Sequence, residues 1–438
     1  MIRSLTASLL VAWYSTVSLH AANTVQPAAT DPRLSGSVEP LLLAVDPLYT
    51  PLLTVDFGPE QLVAPGAGWP YLFQAKEGTT VALGHARWLP KVAEPVVFMT
   101  RSFDGRKTWE EWKPGKGQPI PITEGTAVQL KDGRILLLDV YAHHKGNKVF
   151  EGRAWFSNDG WKTLSDPEPI KVSVPGIQTE GVYDDRGEPI SRLYIRRSVV
   201  EMPNGDLLAT AYGRFTEDDS IPNNKIEYQP KMRQNRSYLI RSTDGAKTWA
   251  YFSTIAAPPL AQEGPGEPVM IRLAHGKHAG RLICQMRLGR EHPVWQVESD
   301  DEGKTWTKGR ALSWVYSRFG RTRELIGVDS DLIEMSDGTL AMSYGHKVDY
   351  MDNGNFLAFS LDQGETWICE TRISSGITVA YTGLREVSPG TLFVVYATTA
   401  ETKPSNYRKA VDNGMFNTVG RTVTVKKNTA VSMAKPGM

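Results

Sequence analysis

The sequence predicts an all-β protein, a six-bladed β-propeller with four antiparallel strands in each blade. Three observations carry that expectation. The 438 residues include 39 Gly and 28 Pro beside 12 Trp and 16 Tyr, a mixture of turn formers and aromatics that suits short strands better than long helices. A turn of the form Ser-x-Asp, then Gly, then Thr-Trp occurs well in four places and degenerately in a fifth. Six apolar runs double back around a glycine, five of them each ahead of one such turn and the sixth beyond the last. The remaining composition is globular: 41% hydrophobic and 22% charged residues exclude disorder, collagen and coiled coil. A net charge of +1, from 49 Lys+Arg against 48 Asp+Glu, gives no basic field for a nucleic-acid partner.

The chain opens on Arg3 and a largely apolar stretch, Leu5 to Leu19, ending at His20-Ala21-Ala22. This reads as a signal peptide over residues 1–22, and so as export to periplasm or medium; a buried N-terminal helix is the alternative. No other stretch is long enough to span a membrane. A lead-in over 23–56 follows, whose last part, Leu52 to Phe57, is expected to close the ring as a strand of the last blade. The six hairpins are Leu72–Leu83 around Gly78, Val128–Leu138 around Gly133, and Val199–Leu208 around Gly205, followed by Val269–Ile283 around Gly280, Leu332–Met342 around Gly338, and Leu384–Val395 around Gly390. The turns begin at Ser102, Ser157, Ser242, Ser299 and Ser360 and contain Asp104, Asp159, Asp244, Asp301 and Asp362. Their carboxylates and hydroxyls can accept bonds from the backbone of their own turn.

Spacings of 55, 85, 57 and 61 separate the turns. The long one reads as an insertion, Tyr183 to Arg192 or Glu217 to Gln234. Residues 57–425 thus form one ring of about 62 residues per blade, with a polar tail over 426–438, although length alone suggests two or three domains. Cys284 and Cys369 lie in different repeats and are expected to be free thiols.

These turns resemble the Asp-box repeats of the sialidase superfamily, and the resemblance spans nearly the whole mature chain. It implies a sialidase-like propeller in which the boxes are structural. It further implies a substrate carboxylate clamped by three arginines, an Asp acid/base, and a Tyr nucleophile activated by a Glu. Glu267-Pro268-Val269-Met270-Ile271-Arg272-Leu273 is similar to the family's Glu-x-x-Val-Val-Glu-Leu run and makes Glu267 the partner carboxylate. Arg287 matches the arginine ending the next strand, and Tyr381-Thr382-Gly383-Leu384 is similar to the nucleophile run, which makes Tyr381 the nucleophile. Other positions depart from the pattern: Gly68 stands where the first arginine belongs and His346 near the third. The acid/base region reads His85 to Glu94, so that Glu94 or His85 would have to serve.

In a propeller the innermost strands converge on one pocket. The polar residues placed there are His85, Arg87, Glu124, Tyr141, His143, His144, Arg196, Arg197, Tyr212, Arg214, Glu267, Arg287, Arg290, Asp329, Asp331, Tyr344, His346, Tyr381 and Tyr396. Tyr381 and Glu267 are expected to be catalytic, with Arg287, Arg214, Arg197, His346, Asp331 and His85 binding substrate. Blander readings stand beside these. Strand alternation lets only one of Arg196 and Arg197 face inward, Arg287 and Glu267 could be a structural pair, Tyr344 and Tyr396 read as packing, and His143-His144 as an exposed loop. Nothing calls for a cofactor or metal: zinc spacing, phosphate loops and nucleophile elbows are missing. The expected function is a monomeric, exported hydrolase of an anionic or complex carbohydrate. A polysaccharide lyase using Tyr381 and His346, or a binding propeller without chemistry, are the alternatives.

Overall fold

The computed structural model describes residues 52–428 except 88–95, 114–118, 123, 184–186, 188, 223–224, 227–228, 290–291, 317–320, 347–353, 375–377 and 400–414. The expected signal peptide, most of the lead-in, Glu94, Arg290 and the end of the tail lie outside these residues. Apart from one 3-10 turn, Thr216–Ser220, every regular element among the described residues is a strand. Among the described residues no helix is long and apolar enough to cross a membrane.

All six hairpins are present, and their turn glycines, Gly78, Gly133, Gly205, Gly280, Gly338 and Gly390, all have positive φ, between 71° and 97°. Glycine meets that requirement without a Cβ penalty. Three units are separate four-stranded sheets. One is Gly68–Gln74, Thr80–Arg87, Val96–Ser102 and Glu110–Glu111; the second is Gly266–Arg272, Leu282–Arg287, Trp295–Ser299 and Arg310–Ala311. The third is Val328–Glu334, Leu340–His346, Gly354–Ser360 and Ile368–Arg372. In the last unit Thr378–Ser388, Thr391–Thr398 and Asn417–Lys427 are joined by Leu53–Phe57, which pairs from Leu53↔Lys427 to Phe57↔Val423.

The second and third units depart from the expectation of separate blades. They form one nine-stranded sheet, seven strands of which close on themselves. Two contacts join them: Tyr141–His144 lies between Val149–Ser157 and Arg192–Glu201, and Lys171 to Ser173 run parallel to Thr248 to Ala250. Exposed strand edges seek partners, and the extra chain between the second and third turns supplies a ten-residue strand, Arg192–Glu201, long enough to offer one. His143 and His144 consequently sit on a strand, opposite Arg192 and Glu151 for His143 and Phe150 for His144, and not in a loop. The same long interval also holds the small hairpin Lys225–Ile226/Gln229–Arg233.

The five Ser-x-Asp turns share one geometry. In each, the Ser hydroxyl donates to Asp Oδ1 at 2.8–2.9 Å, the Thr amide donates to the same oxygen at 2.9–3.0 Å, and the Thr hydroxyl donates to Oδ2 at 2.6–2.7 Å. The two residues after the Asp are both left-handed, and glycine fills the first place in three turns and the second in two. Trp249 and Trp367 are buried in the core. In the degenerate turn Leu164 replaces the Trp, and Trp161 fills the core from within the turn, against Phe73 at 4.9 Å. Both cysteines are free.

The innermost strands share a further irregularity. Trp69, Arg197, Glu267, Asp329 and Ala380 are left-handed residues, each at a register shift in the first strand of its hairpin, and Gly125 is left-handed just ahead of Ala127–Gln129. A bulge inserts a residue and re-aims the side chains beside it. Holding a non-glycine residue there costs on the order of 1 kcal/mol.

Candidate active site

The bulges bring together side chains far apart in sequence. Tyr381, just after left-handed Ala380, donates through its hydroxyl to Glu267 Oε1 at 3.0 Å. Glu267 in turn accepts from Arg196 Nη1 at 2.5 Å and from Arg287 Nη1 at 3.2 Å. Arg196 extends its other nitrogen to Glu124 and, at 3.3 Å, to Asp329 Oδ1. Arg287 reaches Glu263 at 2.8 Å. The guanidinium carbons of Arg196 and Arg197 lie 5.2 and 5.5 Å from the Tyr381 ring centre. Trp69 stands edge-on to that ring at 6.2 Å. Arg196, Arg197, Glu124, Glu267 and Asp329 are all buried, whereas Tyr381 keeps partial exposure.

Electrostatics divide the roles of these groups. Burial pushes the Glu267 carboxyl up, but the positive charges of Arg196 and Arg287 outweigh it and hold Glu267 well below the usual carboxylate range. Asp329 goes the other way: burial, the Glu267 charge and the hydrogen bond between the two acids keep it protonated, donating to Glu267. Burial, then the neighbouring acids Asp329 and Glu267, raise the Tyr381 phenol well above 10, so it is neutral in the resting site. The couple is therefore a neutral phenol against an ionised acceptor, the arrangement of a nucleophile beside its base.

The other expected site residues are placed as follows. Arg287 reaches Glu267 but shares itself between two carboxylates. Arg197 donates to the carbonyls of Ser330 and Thr382, both at 3.2 Å. The expectation that only one of Arg196 and Arg197 faces inward fails, since both are buried against Tyr381: left-handed Arg197 breaks the alternation. Arg214 donates to the Arg233 carbonyl at 3.2 Å. Asp331 is buried and spends its oxygens on the amides of Leu332 and Leu384 and on Arg385. The His346 ring stands edge-on to Phe356 at 5.7 Å. His85 lies on Thr80–Arg87 opposite Gly68, its side chain outside the description. Tyr344 and Tyr396 are buried and bonded to Glu370 and Glu60. Among the described residues no group of three or more His, Cys, Asp or Glu is arranged to hold a metal.

Sequence reasoning set Arg196 aside as one of two alternatives, placed Asp329 and Glu124 in the pocket without a role, and did not see Glu263 or Trp69. Trp69 directly follows Gly68, the position that the resemblance sets against the family's first arginine. The signal that could have found it is positional, because the left-handed residue precedes the hairpin glycine by eight to ten positions in five of the six units.

No protein-family profile matches the chain. A 113-residue stretch is 33% identical to a sialidase of Micromonospora viridifaciens, covering 23% of this chain and only 15% of that protein. A 125-residue stretch is 26% identical to GTPase Der of Bartonella tribocorum, covering 27% of this chain and 25% of that one. Among solved structures, a protein of unknown function from Dyadobacter fermentans is similar at TM-score 0.58 and 17% identity, over 85% of this chain and 99% of that one. A Hadza microbial sialidase is similar at TM-score 0.53 and 17% identity (83% and 66%), and the α-L-arabinanase of Penicillium chrysogenum at 0.51 and 15% (85% and 98%). At these identities the likeness establishes the fold: the chain has the sialidase-like propeller fold shared by sialidases and an arabinanase.

Proposed function

We propose that this chain is an exported glycoside hydrolase built on a six-bladed propeller, with Tyr381 as nucleophile and Glu267 as its base. The observation that carries the reading is the 3.0 Å bond from the Tyr381 hydroxyl to an ionised Glu267 at the centre of the fold. The six left-handed inner positions support six blades, two of them fused edge to edge in the nine-stranded sheet. The five turns are Asp boxes in this reading, and the apolar leader sends the chain out of the cytoplasm.

In the reaction, Tyr381 Oη bonds to the anomeric carbon as its proton passes to Glu267, and the glycosidic C–O bond breaks. The leaving oxygen takes a proton from an acid in the stretch His85 to Glu94, as the sequence reading places it. Water then attacks the anomeric carbon and gives a proton to that former acid, the bond to Tyr381 Oη breaks, and the tyrosine oxygen takes its proton back from Glu267. A neutral phenol held over two guanidinium groups becomes a phenolate at the lowest cost where the developing charge is already compensated.

The test is release of reducing sugar from a glycan panel by the wild type and by Tyr381→Phe. Loss of turnover in the variant, with glycan binding retained, supports the nucleophile. Unchanged turnover sinks it. An unsaturated, ultraviolet-absorbing product assigns the chain to the lyases, and binding without cleavage assigns it to the binding propellers.

A further inference from the structure

We infer that Trp69 determines which sugar the site accepts, its indole being the wall against which the C–H face of the sugar ring at Tyr381 packs. This rests on the proposed site and adds the residue that reads its substrate.

Position is the first argument. Six left-handed residues mark equivalent places in the six hairpins, and five of them carry or adjoin a group gathered around Tyr381. Gly125 adjoins Glu124, which pairs with Arg196, and Arg197 holds its guanidinium 5.5 Å from the Tyr381 ring. Glu267 accepts the Tyr381 hydrogen bond, Asp329 shares Arg196 with Glu267, and Ala380 directly precedes Tyr381. Trp69 is the sixth, and its ring stands edge-on to Tyr381 at 6.2 Å. The first hairpin thus contributes an indole from the place where its counterparts contribute charged groups or aim the nucleophile.

The backbone is held in that shape at a cost. The φ of Trp69 is 49°, an outlier for a bulky side chain, and the following Pro70 favours an extended residue before it. The conformation costs on the order of 1 kcal/mol. Gly84, in the facing strand, leaves room for it: a Cβ there would lie 2.6 Å from the Trp69 carbonyl oxygen and 2.8 Å from that of Gly68. Strain of this kind persists where the surrounding structure enforces it, and it gathers at sites of function. Behind the pair, Val379, Ala397 and Phe416 form a buried cluster on which Trp69 and Tyr381 pack together. Both rings stay half-buried and are not closed into that cluster.

A sugar ring carries C–H bonds on its faces and hydroxyls around its edge. A rigid, flat indole covers such a face with little loss of side-chain freedom. A hydroxyl turned into the indole would give up its water without gaining a partner. Trp69 therefore selects among sugars by the configuration of their hydroxyls.

Saturation-transfer NMR of the wild type, Trp69→Phe and Trp69→Leu with galactose, arabinose and N-acetylneuraminic acid reads both affinity and the sugar protons that touch the protein. At least one of the three sugars is expected to bind the wild type with saturation concentrated on one ring face. Trp69→Phe, which keeps an aromatic face, should bind it within about 3-fold of the wild type, and Trp69→Leu about 10-fold more weakly. In turnover the loss in Trp69→Leu should appear mainly in KM. Even saturation of both faces, equal binding by the two variants, or binding of none of the three sugars overturns the inference. If Trp69→Leu does not fold, the saturation pattern of the wild type decides. No cleavage of any glycan, with the difference between the variants intact, sinks the hydrolase and leaves the inference standing. Cleavage that is lost in Tyr381→Phe, with equal binding by the two Trp69 variants, leaves the hydrolase and removes the inference.

Discussion

Arg196 and Arg197 are neighbours in one strand, yet both place their guanidinium groups against the ring of Tyr381, at 5.2 and 5.5 Å. A regular strand would send them to opposite faces. The left-handed turn at Arg197, φ 64°, defeats the alternation and lets one strand deliver two cations to one tyrosine. Their tasks differ: Arg197 ties the fifth and sixth hairpins together through the Ser330 and Thr382 carbonyls, while Arg196 carries the acids.

Arg196 is therefore expected to be the most costly of the central residues to remove. Arg196→Gln strands Glu124, Glu267 and Asp329 without their shared cation, and breaking a buried ion network costs about 3–5 kcal/mol. Denaturant unfolding reads that loss. Because Arg196 is the larger of the two charges depressing Glu267, the acid limb of any pH–activity profile should move upward in Arg196→Lys, whose single ammonium cannot reproduce the fork. A limb that stays put argues that Glu267 is not the titrating base.

Asp329 makes the opposite kind of prediction. It is buried and protonated, donating to Glu267, so an amide of the same shape can replace it. Above about pH 4 the unfolded carboxyl gives up its proton while the folded one keeps it. The folded state then binds more protons than the unfolded, and stability falls as pH rises, by about 1.4 kcal/mol per unit until the folded group titrates. Asp329→Asn removes that slope. Denaturation midpoints for the variant at pH 5 and pH 8 should lie closer together than those of the wild type, with the variant the more stable at pH 8. Asp329→Ala, which abandons the bond, should be less stable than either.

What was legible in the sequence follows from which interactions are local. The hairpin glycines and the Ser-x-Asp turns are decided within a few residues, and both appear where the spacing put them. The fusion of the second and third units was not legible, because Tyr141 finds Tyr194 only once the two sheets are side by side. The Tyr381–Glu267 pair came through a resemblance over short runs, not through spacing. Glu263 and Trp69 were missed for a different reason: each acquires a role only through a bulge or a loop that brings it back to the centre, and binary patterning assumes that strands have none.

Gly345 offers a test of position without any change of chemistry. A Cβ there would lie 1.9 Å from the Ala380 carbonyl oxygen and 2.4 Å from its carbonyl carbon, backbone that cannot swing aside like a side chain. Ala380 is the left-handed residue that aims Tyr381. Gly345→Ala should push that turn outward and lower kcat about 100-fold, the scale of a 1 Å misplacement, while KM changes less. Equal activity in the variant would mean that the sheet absorbs the shift elsewhere and that the aim of Tyr381 does not depend on this contact.

The peripheral turns give the molecule its acid limit. At Asp244, slight burial opposes ionisation, but bonds from the Thr248 hydroxyl and amide, the Ser242 hydroxyl and the Lys247 amide outweigh it and bring the carboxyl down to about 2. At Asp301 the Thr305 hydroxyl and amide lead, and the value is again about 2. A carboxyl depressed in the folded state stabilises it above the unfolded value near 4 and withdraws that support as pH falls toward 2. Melting temperature should therefore drop steeply over pH 4 to 2, several turns losing their acceptors together. Asp244→Asn keeps one oxygen for the backbone amides but loses the charge, so it should be less stable than the wild type at pH 7 by about 1 kcal/mol, melt lower there, and approach the wild type at pH 2. If the two proteins keep a constant separation down to pH 2, the Asp244 charge contributes nothing and the turn is held by its hydroxyls and its two left-handed residues alone.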